Sequence, residues 1–370
     1  MKIQILQENL QKGLSYLSKA IPSNPQLPIL SSILFEAKET GCVISATDLY
    51  FGVRAQLQSS VKEEGTIVIP GKQFKELISS LPSGKLELTF TDGTLTIAST
   101  PSKTKLQCQS AEEYPQFPQV EGQTYSFSSQ QFQDIDRAVG FSASTDQARP
   151  VLTSILFEIS QKGLSTVTTD GFRLSMYTVP NSQSQTASRL LLQAKALQEV
   201  NRIVKQIDEQ TVSFVVSEEL KQVYFSVGDV EMYIRLIEGE YPPYEKIVPS
   251  VFTTEVTFSV GELEDNIKRA LIFARDASNI IKFTVGEDKT VQLSASSPSL
   301  GTFEGQLQSV TVSGDAVEIA FNAKYVQDIL KAIAGESLWM GMGESLKPVL
   351  CRATDSDAAE YVIMPFKVNG

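Results

Sequence analysis

Apolar and polar positions alternate with two periods along this chain. A period of two marks strands at 43–46, 85–91, 94–98, 212–216, 223–227 and 317–321. Asp92-Gly93 separates two of these runs and predicts a hairpin turn. A period of 3.6 predicts helices over 8–20, 72–81, 129–141, 194–207, 261–274 and 323–334, as in Leu10, Leu14, Leu17 or Ile267, Ala270, Leu271, Ala274. Several strands follow each predicted helix. This order reads as α+β, with antiparallel sheets and the helices gathered on one face.

The same pattern comes three times. Pro28-Ile29-Leu30-Ser31-Ser32-Ile33-Leu34-Phe35-Glu36 returns as Pro150-Val151-Leu152-Thr153-Ser154-Ile155-Leu156-Phe157-Glu158, and Ala46-Thr47-Asp48 returns at the same offset as Thr168-Thr169-Asp170. Glu113-Tyr114-Pro115-Gln116-Phe117 recurs as Glu240-Tyr241-Pro242-Pro243-Tyr244. A third, more diverged copy is visible in the helices. Lys72/Phe74/Glu76/Leu77, Lys195/Leu197/Glu199/Val200 and Lys324/Val326/Asp328/Ile329 share one pattern, and Ile5/Leu10, Phe127/Phe132 and Phe258/Leu263 share a spacing that assigns them to the first helix of each copy. Ser128/Gln131 and Ser259/Glu262 have capping-box spacing. Solenoid and propeller repeats are much shorter than this period, so whole domains are triplicated, with expected bounds 1–122, 123–251 and 252–370.

Composition then excludes whole classes of chemistry. The 370 residues contain no histidine, which removes serine–histidine triads, histidine zinc sites and 2-His-carboxylate iron sites. Cys42, Cys108 and Cys351 are too far apart for a metal-binding pair and read as buried thiols in a reducing compartment. The first residues lack the apolar core of a signal peptide, and no apolar run is long enough to span a bilayer, so a soluble, cytoplasmic protein without membrane contact is expected. The net charge of −11 argues against nucleic acid until its distribution is considered. The six helical windows hold twelve Lys and Arg against nine Asp and Glu, while the remainder of the chain is strongly acidic. The lysine repeated at the same place in each second helix is not what a merely solvated face requires.

With the triplication, Thr169-Asp170-Gly171-Phe172-Arg173-Leu174, Glu240-Tyr241-Pro242 and Tyr361-Val362-Ile363-Met364-Pro365 complete a pattern that resembles the bacterial β sliding clamp family of DNA polymerase III over the whole chain. The resemblance implies three tandem clamp domains, with sheets outside and two helices per domain inside. Two copies would join head to tail as a homodimeric ring. It implies a non-catalytic processivity factor without cofactor or metal. The ring would enclose double-stranded DNA without reading its sequence, slide on it, and tether its partners. Those partners are the polymerase III α subunit in the holoenzyme with its 3'–5' exonuclease, the clamp-loader complex, and other polymerases and repair factors that carry a short clamp-binding peptide. A weakly positive lining that makes few phosphate contacts suits sliding.

Carried over by position, the partner-peptide cleft would comprise Leu152, Thr169, Gly171, Phe172, Arg173, Leu174, Pro242, Lys246, Ile247, Asn322, Tyr325, Leu346, Val362, Met364, Pro365 and Phe366. Phe172 stands where some family members carry histidine, Pro348 where a small polar residue is frequent, and Asn24 where some carry arginine. Lys72, Arg137, Arg149, Lys195, Arg202, Lys205 and Lys324 would face DNA. Ile272 and Phe273 of one copy would meet Leu106 and Cys108 of the other. Thr47-Asp48-Leu49 lacks the Gly-x-Arg-Leu extension and reads as the structural ancestor of the second copy's motif. No phosphate loop, GxGxxG or paired-acid motif supports an enzyme. A peptide-binding scaffold that forms no ring is the rival reading.

Overall fold

The computed structural model describes residues 1–120, 122, 124–161, 163–180 and 187–367. Its chain forms two compact units, one of residues 1–132 with 195–236, the other of 133–194 with 237–370. Six helices of about three turns occupy the predicted windows: α1 Gln7–Leu17, α2 Gly71–Ser80, α3 Ser129–Val139, α4 Ala194–Val204, α5 Val260–Ala274 and α6 Ala323–Ala332. Among the described residues every strand pairing is antiparallel, in four sheets.

The predicted runs become strands Gly41–Thr47, Lys85–Thr91, Thr94–Ser99, Thr211–Ser217, Gln222–Val227 and Val317–Asn322. Asp92 and Gly93 both have positive φ, 51° and 76°, so Thr91 faces Thr94 across a two-residue turn that follows the twist of the strands. Helix burial follows the 3.6 period. In α5, Leu263, Ile267, Ala270, Leu271 and Ala274 face a core with Phe258, Phe283 and Phe321. Each large side chain buried this way stabilises the fold by about 1.5–3 kcal/mol.

Two local readings need correction. Ile5, Phe127 and Phe258 lie in the strand before each helix, Lys2–Leu6, Thr124–Ser128 and Thr254–Ser259. All three side chains are nonetheless buried, and Phe258 shares one core cluster with α5. The Ser128/Gln131 box forms: the Ser128 amide donates to Gln131 Oε1 at 2.9 Å, and the Gln131 amide to Ser128 Oγ at 3.1 Å. The Ser259/Glu262 box does not form. The Ser259 amide already donates to the Ser309 carbonyl at 3.1 Å. Glu262 instead accepts the Gln308 and Ser309 amides at 2.8 and 2.7 Å.

Sheet order carries the repeat into three dimensions. In the first unit an eight-stranded sheet brings Phe51–Leu57 of the first copy beside Val230–Arg235 of the second, with Gly52 facing Tyr233. In the second unit a nine-stranded sheet brings Arg173–Pro180 of the second copy beside Ala359–Ile363 of the third, with Leu174 facing Val362. The two junctions share one register. The Arg235 amide donates to the Tyr50 carbonyl at 2.8 Å, and the Met364 amide to the Phe172 carbonyl at 2.9 Å. The remaining sheets have five and four strands and end on Ser102–Gln107 and Gly301–Leu307, each paired on one side only.

Candidate functional site: a cleft beside the Thr169–Leu174 turn

The turn between Gly163–Thr169 and Arg173–Pro180 is built by two side chains. Thr169 Oγ1 accepts the Gly171 amide at 3.0 Å and donates to the Arg173 carbonyl at 2.7 Å. Asp170 Oδ1 accepts the amides of Phe172 and Arg173 at 2.9 and 3.0 Å. Gly171 takes φ +95°, where a Cβ would be strained. Thr47 and Asp48 make the same turn in the first copy, with Leu49 at φ 76°. The fold therefore needs the turn, and the glycine and arginine are what the second copy adds.

Arg173 is the tie of this site. Its Nε meets Asp170 Oδ2 at 3.1 Å, Nη1 meets Asp328 Oδ2 at 2.7 Å, and Nη2 donates to the Phe141 carbonyl at 2.6 Å. The guanidinium lies over the rings of Tyr325 and Phe141, with centroids 4.6 and 5.3 Å away. Through these contacts it fixes the turn to α6 and to the segment after α3. Burial and the neighbouring Asp170 push the Tyr325 phenol up, against the opposing pull of Arg173.

The chain from 237 to 252 supplies the opposite wall. Tyr241 donates to the Val167 carbonyl at 3.4 Å, and Tyr244 to Glu158 Oε2 at 2.5 Å; Glu158 also meets Arg189 at 2.9 Å. Burial, with the Glu158 carboxylate beside it, raises the Tyr244 phenol far above its ordinary range. Pinned by these two tyrosines, the segment leaves a cleft of about 750 Å³ between itself, the turn and the last strand. Its floor is Leu174 and Val362, buried to 2 % and 1 %, and its rim includes Phe172 at 52 % and Ile247 at 41 % exposure. A deep apolar floor beneath exposed apolar edges suits Leu or Phe side chains of an extended peptide.

Of the residues carried over by position, Thr169, Gly171, Phe172, Arg173, Leu174, Lys246, Ile247, Val362 and Met364 line this cleft. Leu152, Pro242, Asn322, Tyr325, Leu346, Pro365 and Phe366 do not. Asn322 caps α6 by accepting the Lys324 amide at 3.0 Å, and Tyr325 lies beneath Arg173. The Phe366 amide is bound to the Ala320 carbonyl at 2.8 Å, and Leu346 is exposed. Val248, Pro249, Ser250, Val251, Thr253, Gly343, Glu344, Lys347 and Pro348 also line it. Only Pro348 of these was singled out in sequence, and no periodicity marks the others because they lie in loops.

The basic residues divide by chemistry. Lys72, Lys195 and Lys324 are each the second residue of α2, α4 and α6; they and Lys205 are exposed. The arginines are paired: Arg137 with Asp134 at 2.8 Å, Arg149 with Asp146 at 3.1 Å and Arg202 with Glu199 at 2.7 Å. Arg202 also donates to the carbonyls of Ser15 and Tyr16 at the end of α1, so it is a helix tie. Of the candidates for contact between copies, Leu106 and Cys108 are half-buried, Ile272 in α5 is 54 % exposed, and Phe273 beside it stacks on Phe303 at 6.4 Å. Burial pushes the Cys108 thiol up.

Comparison with known proteins agrees with this architecture. Family models described as the N-terminal, central and C-terminal domains of the DNA polymerase III beta subunit match residues 1–118, 126–243 and 245–367. A beta sliding clamp of Staphylococcus aureus is 29 % identical over 360 residues, covering 94 % of each chain. The DNA polymerase III beta subunit of Thermotoga maritima superposes with a TM-score of 0.92 at 28 % identity, covering all of both chains. The sliding clamp of Bacillus subtilis gives 0.94 at 24 % identity, again over all of both chains, and supports the fold. With three consecutive family domains spanning nearly all its length, the chain belongs to the DNA polymerase III beta subunit family.

Proposed function

We propose that this protein is a β sliding clamp, a non-catalytic processivity factor that holds DNA polymerase III to duplex DNA. Two copies close head to tail into a ring, and the three repeats, with bounds near 122 and 252, are its clamp domains. The observation that carries the ring is the sheet junction made twice within one chain. The same plan leaves one unused edge of each kind, Ser102–Gln107 and Gly301–Leu307. An unpaired edge is a template for another strand, and pairing these two between copies leaves neither edge open. A scaffold without a ring would leave both exposed.

Lys72, Lys195, Lys205 and Lys324 supply the DNA-facing charge. Being few, exposed and, among the described residues, without a carboxylate partner, they favour a loosely held duplex over a gripped one. The cleft beside Arg173 takes extended Leu- and Phe-bearing segments of the polymerase α subunit, the clamp loader, and other polymerases and repair factors. Among the described residues no helix is long and apolar enough to cross a membrane, which accords with work in the cytoplasm.

The test is topological. Protein loaded on closed circular DNA is expected to persist there and to run off once the circle is cut. Binding to a short linear duplex is expected to be weak and to fall as salt rises. Tight, sequence-selective binding to a short duplex, or a monomeric mass in solution at micromolar concentration, overturns the reading.

A further inference from the structure

The first unit contains the same junction as the second, and its cleft is closed from within. By register, Thr47, Asp48 and Gly52 stand where the second unit has Thr169, Asp170 and Leu174, and Tyr233 stands where it has Val362. The backbone is conserved between the two down to the paired amide bonds of Arg235 and Met364. The side chains are exchanged in size. At the second junction a leucine faces a valine; at the first, a glycine faces a tyrosine.

The tyrosine ring lies where the larger residue of the other junction would begin. A Cβ built on Gly52 would stand 2.1 Å from Tyr233 Cε1. The ring is enclosed by Phe117 at 5.3 Å and Tyr224 at 5.9 Å between centroids, and its hydroxyl is 2.5 Å from Thr47 Oγ1. Tyr233 is 5 % exposed. The nearby cavity of about 320 Å³, lined in part by Phe117, Tyr224 and Arg54, includes no residue of the Thr47–Phe51 turn, whereas the 750 Å³ cleft of the second unit includes Thr169 and Gly171 to Leu174. The polar end of the plug uses the threonine hydroxyl that orders the turn. The apolar ring fills the floor.

We infer that Tyr233 is a built-in occupant of a second peptide cleft and limits each chain to one site for Leu- and Phe-bearing segments. This rests on the reading of the Thr169–Leu174 cleft as a peptide site and extends it to the first unit. Removing the ring opens an apolar floor of the same backbone geometry, and the ligand class it would take is the same.

The experiment is a binding stoichiometry. A fluorescein-labelled synthetic peptide, with Leu and Phe flanked by Ser and Gly, is titrated into wild-type protein, Tyr233→Val, and the double variant Gly52→Leu/Tyr233→Val. The double variant restores the side-chain pair of the second junction and guards against collapse of the single variant. Thermal melting of each is recorded in parallel. Wild type is expected to take one equivalent per chain, and at least one folded variant to take two. Adding Val362→Asp is expected to remove one equivalent from each protein, leaving the opened variant with its new site. One equivalent in wild type and in both folded variants overturns the plug while leaving the cleft intact. No binding to any of the proteins overturns the cleft reading and the plug with it.

Discussion

Arg173 Nη1 and Asp328 Oδ2 are 2.7 Å apart, and through that bond the turn at one wall of the cleft is fixed to α6. The arginine side chain is 12 % exposed and the aspartate 31 %. Asp170 holds the same guanidinium from the other side. The pair therefore joins the cleft to a helix whose second residue, Lys324, is a DNA-facing candidate. With Nε, Nη1 and Nη2 each bound within the protein, Arg173 is expected to act on peptide affinity as a positioning residue.

Replacing Asp328 with Ala leaves that guanidinium without one of its three partners in a mostly dry setting. A loss of about 1–3 kcal/mol in stability is expected, because removing one partner strands the desolvated other. Peptide affinity should fall several-fold as the turn loosens, and Arg173→Lys should do the same, because one compact ammonium cannot span the separate acceptors that the planar guanidinium reaches. Calorimetric melting and peptide titration check this. Unchanged affinity in a destabilised variant would reduce the pair to a purely structural role.

Glu262 gives a pH-dependent expectation. The Gln308 and Ser309 amides hold its carboxyl below the usual carboxylate range. A depressed folded pKa contributes stability that is present above the unfolded value of roughly 4.3 and is lost as pH falls through the folded value. Glu262→Ala should thus melt below wild type at pH 7 and at pH 5, and the gap should narrow on descent to pH 3. A gap that stays constant over that range would contradict the assignment. The carboxylate lies at the surface, only partly shielded from solvent, so the effect is small.

Periodicity made the strands and helices legible, and the repeat made their grouping legible. Contact chemistry did not show in the same way. Asn322 precedes the helical window at 323 and carries the signal of an N-cap, which its alignment with a binding cleft obscured. Arg173 could be placed at the cleft, but a guanidinium gives no sequence sign of whether its donors face a ligand or the protein's own acids. Glu262 had capping-box spacing and was captured instead by a loop far along the chain. The cleft's loop wall follows no period: Val248 to Val251 continue the segment pinned by Tyr241 and Tyr244, and Gly343 and Glu344 come from the loop after the strand Ser337–Met342.

The interface between copies has a predictable register. Repeating the two internal junctions places Leu106 of one copy opposite Leu300 of the other, as Ile234 faces Phe51 and Ile363 faces Arg173. Facing Cα atoms in an antiparallel pair are about 4.5–5.5 Å apart, within disulfide reach. Leu106→Cys with Leu300→Cys, in a Cys108→Ser background, should therefore form covalent dimers under mild oxidation. Leu106→Cys with Phe303→Cys should not. The double variant Ile272→Ala/Phe273→Ala should yield monomers, since truncated interface anchors cost about 2–4 kcal/mol each. Cross-linking only at the shifted pair would refute the register.

Removal of residues 364–370 separates the cleft from the ring. Met364 closes one side of the cleft and is bound through its amide to Phe172, and Phe366 is bound to Ala320. The strand Ala359–Ile363 keeps its pairing with Arg173–Pro180, so the sheet survives the cut. Neither edge strand assigned to the interface between copies is touched. An extended peptide loses conformational freedom on docking, so a single cleft is expected to bind with Kd in the ~µM range, about 8 kcal/mol. That margin is thin, and losing one wall should carry the affinity below detection in a calorimetric titration. The truncated protein should keep the mass of a dimer, persist on circular DNA, and fail to stimulate its polymerase. Normal stimulation by a truncated dimer would place the partner site elsewhere while leaving the ring unaffected.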